Sequence, residues 1–171
     1  IYNFQELRDR LIAQGHRFET RSDTEVLVHL YEEFGDACVE HLRGMFAFAI
    51  WDREKQVLLL VRDRLGIKPL FYAVRDGRLW FASEIKALLA GGVEGALDAQ
   101  ALAQFLTFLY VPSPSTIYES IRQLPPGHSL TFSRGQLSLR QYWTLTPDPE
   151  AAALSGEEAE ERLLALLKET V

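Results

Sequence analysis

Sulfur, long apolar runs and clustered positive charge are all scarce in this sequence. A single cysteine, Cys38, excludes an internal disulfide and a cysteine-based metal cluster. The formal net charge is −6 and the lysines and arginines are scattered, which argues against binding to nucleic acid or to an anionic membrane surface. The longest apolar runs, such as residues 57–61, are too short to cross a bilayer, and no charged-then-apolar leader opens the chain. These absences predict a soluble, cytoplasmic protein that has neither a nucleic acid nor a membrane as partner.

Apolar residues are plentiful, and the start of the chain places them at helical spacing. The 171 residues are 47% apolar, enough for a sizeable core in one domain or in one domain plus part of another. Asn3 with Glu6, and Ser22 with Glu25, form two capping-box patterns, each followed by an amphipathic repeat that stops at a glycine. Two helices are therefore predicted, with a short third helical piece over residues 37–42.

The pattern then changes to strands that are apolar on both faces. Residues 45–51 and 57–61 are joined by a polar turn, and residues 70–74 and 79–82 flank an Asp76-Gly77 hairpin signal. Strands of this kind must be covered on both sides, so stacked layers of helix and sheet are expected. The first two strands should be adjacent, antiparallel and central, with the first two helices together on one face.

Farther along the chain, proline marks a boundary. Ser83 caps a predicted helix that ends at two glycines, a second apolar helix covers residues 97–109, and a proline-rich segment follows at 111–115. Short strands are predicted after it, over residues 121–124, 129–132 and 136–143. Ser155 with Glu158 opens a final helix that is still running at Val171, which suggests that the sequence has been cut.

One charged loop interrupts the strands, with the sequence Arg62-Asp63-Arg64-Leu65-Gly66-Ile67-Lys68-Pro69. Asp63 can accept hydrogen bonds from backbone N–H groups or from an arginine. Gly66 supplies a positive φ or a close backbone approach, and Pro69 keeps Lys68 extended. On spacing alone a structural loop is favoured over a functional one, because charged residues at strand ends most often face solvent.

Several motifs, in order along the chain, resemble those of a known family. They are Ser22-Asp23-Thr24-Glu25, Arg43-Gly44-Met45-Phe46-Ala47-Phe48-Ala49-Ile50-Trp51-Asp52, the charged loop with Leu70-Phe71-Tyr72 after it, and Phe81-Ala82-Ser83-Glu84-Ile85-Lys86-Ala87-Leu88. Together they closely resemble the glutaminase domain of glutamine-hydrolysing asparagine synthetases, which are class II glutamine amidotransferases with the N-terminal nucleophile hydrolase fold. Pro125-Pro126-Gly127-His128 and Tyr142-Trp143 are similar to that family's passage into its synthetase domain.

The resemblance implies a fold, a domain division and an activity. The fold is α+β, a partial N-terminal nucleophile hydrolase-type layered αββα sandwich followed by the start of an α/β synthetase domain. Residues 1–110 would form the partial amidotransferase domain, 111–147 an interdomain connection with short strands, and 148–171 the first, incomplete helix of the synthetase domain. Glutamine would be hydrolysed to glutamate and ammonia, and the ammonia passed to a site that makes asparagine from aspartate.

The same resemblance implies cofactors and places the catalytic groups. ATP and Mg are expected in the synthetase domain. The sequence leaves the oligomeric state open, with a homodimer as one possibility. The family nucleophile is an N-terminal cysteine whose free α-amino group acts as the base, and the resemblance places it, with the oxyanion donors, before Ile1. The ATP loop would lie beyond Val171, and Ser155-Gly156 is interpreted as a helix cap. No catalytic residue is therefore expected in this chain, which should be inactive alone.

One functional residue carries over with its motif. Asp23 matches the family aspartate that pairs with the α-ammonium of the substrate glutamine. From the residues alone, a first-turn acid stabilised by the helix dipole is the simpler interpretation, and the resemblance favours the ligand role. A supporting role, holding the sheet and the Asp23 side of the pocket, is assigned to Ser22, Arg62, Asp63, Lys68, Ser83 and Glu84. Met45 and Phe46 face either the ammonia route or, more simply, the core.

The sequence predicts no metal site. His16, His29, His41 and His128 show no shared spacing typical of a metal site, such as HExxH. Cys38 lies within a helical piece and is expected to be an inert, buried thiol. An alternative function stays open, that of a non-catalytic relative that keeps the glutaminase fold as a binding or scaffolding module.

Overall fold

A computed structural model gives the fold of residues 1–170 and the side-chain positions through residue 168. The helices are α1 (Phe4–Ala13), α2 (Asp23–Phe34), a 3₁₀ helix (Gly35–His41), α3 (Ile85–Ala90), α4 (Ala99–Phe108), α5 (Pro149–Ala152) and α6 (Gly156–Thr170). The strands are β1 (Ala47–Asp52), β2 (Val57–Arg62), β3 (Phe71–Arg75), β4 (Arg78–Ala82), β5 (Arg122–Gln123), β6 (His128–Ser133) and β7 (Gln136–Gln141). Within residues 1–170, every helix is too short or too polar to cross a membrane.

The strands form two antiparallel sheets. The first has the order β1-β2-β6-β7 and the second the order β4-β3-β5. β1 and β2 pair from Ala47 opposite Arg62 to Asp52 opposite Val57, so the predicted adjacent, antiparallel pairing is confirmed. β2 is central, but β1 lies at the edge of the described sheet, so the prediction that both strands are central is wrong. The apolar pattern of a strand reports which of its faces are covered, and it carries no information about the neighbour on its hydrogen-bonding edge.

Strand β2 shows why the first sheet must be covered on both faces. Leu59 and Val61 belong to one buried cluster with Leu11 of α1 and Leu30 of α2. Leu60 belongs to a second cluster, which lies between the two sheets. Successive side chains of a strand point to opposite faces, so this single apolar run contributes to two layers of core. The prediction that α1 and α2 lie together on one face is confirmed.

The far side of the second sheet carries the fourth layer. Tyr72 of β3 packs between the sheets. Its neighbour Ala73 points the other way and shares a buried cluster with Leu88 of α3 and Ile121. The layers therefore follow the order helix, sheet, sheet, helix, which is the predicted αββα sandwich.

Two of the predicted helix caps are wrong. Asn3 does not cap α1, because its Nδ2 donates to the carbonyl of His41 and its Oδ1 accepts from the N–H of Arg43, both at 2.9 Å. The N-cap position of α3 belongs to Glu84 rather than Ser83, and its side chain makes no capping hydrogen bond. The side chain of Asn3 therefore bonds to the backbone of a distant segment, although the local pattern predicted that it would cap α1.

Residues 111–147, predicted as an interdomain connection, contribute strands to both sheets. β5 pairs with β3, and β6 pairs with β2 from Leu58 opposite Phe132 to Val61 opposite Ser129. This segment therefore packs as part of the layers. The division into 1–110, 111–147 and 148–171 stays a prediction, and Val171, which ends it, lies outside the described residues.

Candidate functional site

A cleft of about 560 Å³ opens beside the first turn of α2. Three of the predicted site residues, Asp23, Lys68 and Ser83, line it together, although they come from α2, the charged loop and the segment that follows β4. The complete lining consists of Ile1, Asp23, Thr24, Leu27, Met45, Phe46, Ala47, Phe48, Lys68, Pro69 and Ser83. The cleft thus combines a carboxylate, an ammonium group and apolar walls.

Asp23 is the first residue of α2 and faces this cleft. Ser22 caps the helix, as predicted, by accepting a hydrogen bond from the N–H of Thr24 at 3.1 Å. Asp23 Oδ2 accepts a hydrogen bond from the α-ammonium of Ile1 at 3.0 Å, and the aspartate side chain is 45% exposed. That hydrogen bond lowers the pKa of Asp23 below its ordinary value, although desolvation opposes the shift. Asp23 therefore presents a carboxylate to the cleft, where it can pair with a cation.

Asp63 lies beneath the charged loop and is 1% exposed. Its Oδ1 accepts from the N–H groups of Leu65 and Ile67 at 3.2 and 3.0 Å, and its Oδ2 accepts from the N–H of Lys68 at 2.9 Å. A buried irregular segment lacks the hydrogen-bond acceptors that a helix or sheet supplies to its backbone N–H groups. Here the carboxylate of Asp63 is the acceptor for three of these N–H groups. Asp63 therefore fixes the backbone that carries Lys68 to the cleft.

Arg62 is also buried and holds the same loop through its carbonyl groups. Its guanidinium donates to the carbonyls of Gly66 at 2.6 Å, Lys68 at 2.8 Å and Leu124 at 2.7 Å. Gly66 has a φ of +67°, and a Cβ at this position would lie 2.8 Å from Cγ of Pro126, so only glycine fits. The loop is structural in its construction, as its spacing indicates, and it delivers two residues to the cleft wall.

The remaining predicted residues divide between the cleft and solvent. Ser83 lines the cleft, whereas the side chain of its neighbour Glu84 is 60% exposed and pairs with Lys86 at 2.6 Å. Met45 and Phe46 both line the cleft, and Phe46 is also part of the buried cluster on the helix side. The role of these residues toward a ligand stays a prediction.

Cys38 is fully buried in the 3₁₀ helix. Desolvation, with a smaller contribution from the charge of Asp36, raises the pKa of its thiol to about 12. Because the thiolate is the reactive form, we expect iodoacetamide to alkylate folded Cys38 roughly 1,000-fold more slowly than the same residue in denaturant, at neutral pH. Mass spectrometry of timed samples measures both rates. Comparable rates would mean that Cys38 is an accessible nucleophile.

One cluster escaped the sequence analysis because its members are far apart in the chain. Nδ1 of His16 and Nδ1 of His29 lie 3.2 Å apart, although the residues are separated by 13 positions, and Glu32 lies beside both. Spacing rules of the HExxH kind detect ligands on a single helix. Only the packing of α1 against α2 brings these two imidazoles together.

Comparison with known proteins identifies the domain. The glutamine amidotransferase domain family matches residues 1–143. The chain is 40% identical over 166 residues to glutamine-hydrolyzing asparagine synthetase 3 of Bacillus subtilis (strain 168), an alignment that covers 96% of this chain and 27% of the relative. It is 33% identical over 175 aligned positions to Amidase chry2 of Gibberella zeae, covering 98% of this chain and 26% of the relative. The chain thus spans about a quarter of the length of these curated relatives.

A solved structure has the same fold. Glutamine phosphoribosylpyrophosphate amidotransferase from Bacillus subtilis, complexed with ADP and GMP, superposes with a TM-score of 0.56. The two proteins are 23% identical, and the likeness covers 84% of this chain and 27% of the other. At this identity the likeness shows the fold alone, and it confirms the α+β, N-terminal nucleophile hydrolase-type prediction.

Proposed function

This chain belongs to the glutamine amidotransferase domain family, and on that premise we propose that it forms the glutamine-binding part of an amidotransferase. In the proposed reaction, glutamine is hydrolysed to glutamate and ammonia, and the ammonia passes to a synthetase site that makes asparagine from aspartate. The 40% identity to an asparagine synthetase supports this product. The observation that carries the proposal is the carboxylate of Asp23, which is 45% exposed and lines the cleft together with Lys68 and Ser83.

The carboxylate of Asp23 indicates what the cleft can accommodate. It lines the cleft with its side chain 45% exposed, so the α-ammonium of an amino-acid substrate can pair with it. A charge-assisted hydrogen bond of this kind favours amino acids over simple amides. Leu27 and Phe48 line the same cleft, and their apolar surfaces suit the methylene groups of glutamine.

Around this site we assign the buried pair of the charged loop a positioning role. Arg62 and Asp63 hold the backbone, and Lys68 and Ser83 line the cleft. Cys38 does not supply the nucleophile, because burial raises its pKa to about 12. A nucleophile located before Ile1, and the inactivity of this chain alone, stay predictions.

The one segment with a superficial likeness to a phosphate-binding loop does not fit ATP. The hydroxyl of Ser155 donates to Glu158 Oε2 at 2.8 Å, and the N–H of Glu158 donates back to Ser155 Oγ at 3.3 Å. This capping box opens α6, as predicted, and its acidic side chains would repel phosphate. We therefore assign ATP, Mg and aspartate to the proposed synthetase domain. A cytoplasmic location and a homodimer are further parts of the proposal.

The function is tested with glutamine that carries ¹⁵N in its side-chain amide. The complete protein, supplied with aspartate, ATP and Mg, is expected to transfer the label to the side-chain amide of asparagine. Glutamate should appear in an amount equal to the asparagine, because one amide nitrogen is consumed for each product. Nuclear magnetic resonance or mass spectrometry follows the label, and a reaction without aspartate is the control.

The other outcomes separate the competing interpretations. Label in a product other than asparagine would contradict aspartate as the acceptor while supporting glutamine hydrolysis. If the complete protein neither releases glutamate nor transfers the label, that result would favour the alternative function, a non-catalytic binding or scaffolding module that keeps the glutaminase fold.

A further inference from the structure

Two imidazoles and a carboxylate converge where the end of α1 meets α2. His16 follows α1, and His29 and Glu32 lie on α2. The two Nδ1 atoms are 3.2 Å apart, and Glu32 Oε2 lies 2.8 Å from Nδ1 of His29 and 3.5 Å from Nδ1 of His16. Both imidazoles are 14% exposed and Glu32 is 55% exposed. The three atoms form a small triangle that is open to solvent on the Glu32 side.

This triangle has the size of one face of a tetrahedral metal site. Zinc binds histidine nitrogen at about 2.0–2.1 Å and carboxylate oxygen at about 2.0–2.2 Å, so neighbouring ligands of a regular tetrahedron lie about 3.3–3.4 Å apart. The three observed separations run from 2.8 to 3.5 Å. An ion slightly above the plane of the triangle reaches all three donors after small side-chain adjustments.

Carboxylates surround both imidazoles of the cluster. Nε2 of His16 is 2.9 Å from Glu33 Oε1, within hydrogen-bond distance, and Nε2 of His29 is 3.9 Å from Glu25 Oε1, beyond it. Nδ1 of His29 lies at hydrogen-bond distance from Glu32 Oε2, 2.8 Å, so a bound cation would take the place of the proton between them and pair with the same carboxylate. A histidine whose far nitrogen donates to a carboxylate is also the usual arrangement around bound zinc.

We propose that His16, His29 and Glu32 form a binding site for a zinc-class divalent ion, with water in the fourth position. Two nitrogen donors and one oxygen favour zinc over magnesium or calcium, which take oxygen ligands. The ring of Phe18 packs against His29 with centroids 4.5 Å apart, which restrains the imidazole. The bound ion clamps the α1–α2 connection onto α2, the helix that begins at Asp23. None of the three ligands lines the cleft, so the site is separate from the proposed glutamine site.

The site is tested by zinc titration of the complete protein after treatment with a chelator, using isothermal calorimetry. The wild-type protein should bind zinc saturably, and excess magnesium should not displace it. His29→Gln should weaken binding by more than about 100-fold, and Glu33→Gln, which removes only an orienting carboxylate, by about 10–100-fold. The matched control is His128→Gln, because His128 lies away from the cluster and donates to the carbonyl of Pro126. The zinc affinity of this variant should equal that of the wild type.

Binding that His29→Gln leaves unchanged, or that His128→Gln weakens equally, would overturn the proposal. The absence of saturable zinc binding in the wild type would do the same. His16→Gln removes a ligand from the other element and should reproduce the loss, so the test survives if one variant fails to fold, which circular dichroism reveals. Because the readout is metal binding, failure here leaves the glutamine proposal untouched.

Discussion

Replacing Asp63 with alanine is expected to lower the free energy of unfolding of the domain by about 3–5 kcal/mol. The carboxylate is 1% exposed and accepts from the backbone N–H groups of Leu65, Ile67 and Lys68. Alanine leaves these donors unpaired and removes the negative charge beside the buried guanidinium of Arg62. Urea denaturation followed by circular dichroism measures the change.

Two further variants identify the cause of the loss. Asp63→Asn keeps one side-chain oxygen as an acceptor but places an NH₂ group against a backbone N–H, so an intermediate loss is expected. Asp9→Ala removes the same carboxylate from an exposed position of α1 and should leave stability nearly unchanged. If Asp63→Ala cost no more than Asp9→Ala, the loop would not depend on its buried carboxylate.

Asparagine in place of Asp23 is expected to reduce glutamine use by roughly ten- to a hundredfold, with ammonia-dependent synthesis preserved. A hydrogen bond to a charged group contributes on the order of 1.5–3 kcal/mol, and the substitution removes the charge while keeping the size of the side chain. In the proposed reaction, added ammonia enters after the hydrolysis of glutamine, so its use should not depend on Asp23. Steady-state kinetics of the complete protein, with glutamine and then with ammonium chloride, measure both effects.

The control for Asp23 is a second acid in the first turn of a helix. Glu6 occupies that position in α1, so Glu6→Gln removes a comparable interaction with the helix dipole away from the cleft, and it should leave both activities unchanged. Loss of both activities in Asp23→Asn would identify Asp23 as a structural residue. Unchanged glutamine kinetics would show that Asp23 does not bind the α-ammonium.

Local patterns were sufficient for most of the helices and strands. The apolar run of β2 faces two cores, as its composition predicts. The Asp76-Gly77 turn joins β3 and β4 with φ values of +51° and +71°. Ser155 and Glu158 form the capping box that opens α6. In each case the signal and its partner lie within a few residues, so the interaction is contained in the sequence itself.

The motifs were sufficient for the family and for the residues to inspect, but not for where each side chain points. Asp23, Lys68 and Ser83 share a cleft, whereas Glu84 in the same motif faces solvent. Ser83 and Glu84 lie in the segment between β4 and α3, where Glu84 takes the N-cap position of the helix. A motif therefore identifies the segment that contributes to the site, and the local backbone conformation determines which of its residues lies at the cleft.

Interactions between distant residues were decided only by the tertiary structure. Asn3 bonds to the backbone of His41 and Arg43 and does not cap α1. His16 contacts His29 because α1 packs on α2. The sequence by itself determined the family, the layered fold and the strands that need cover on two faces. Which distant group a side chain finally contacts depends on the packing free energy of all the layers together, and a pattern that spans a few residues contains no information about that sum.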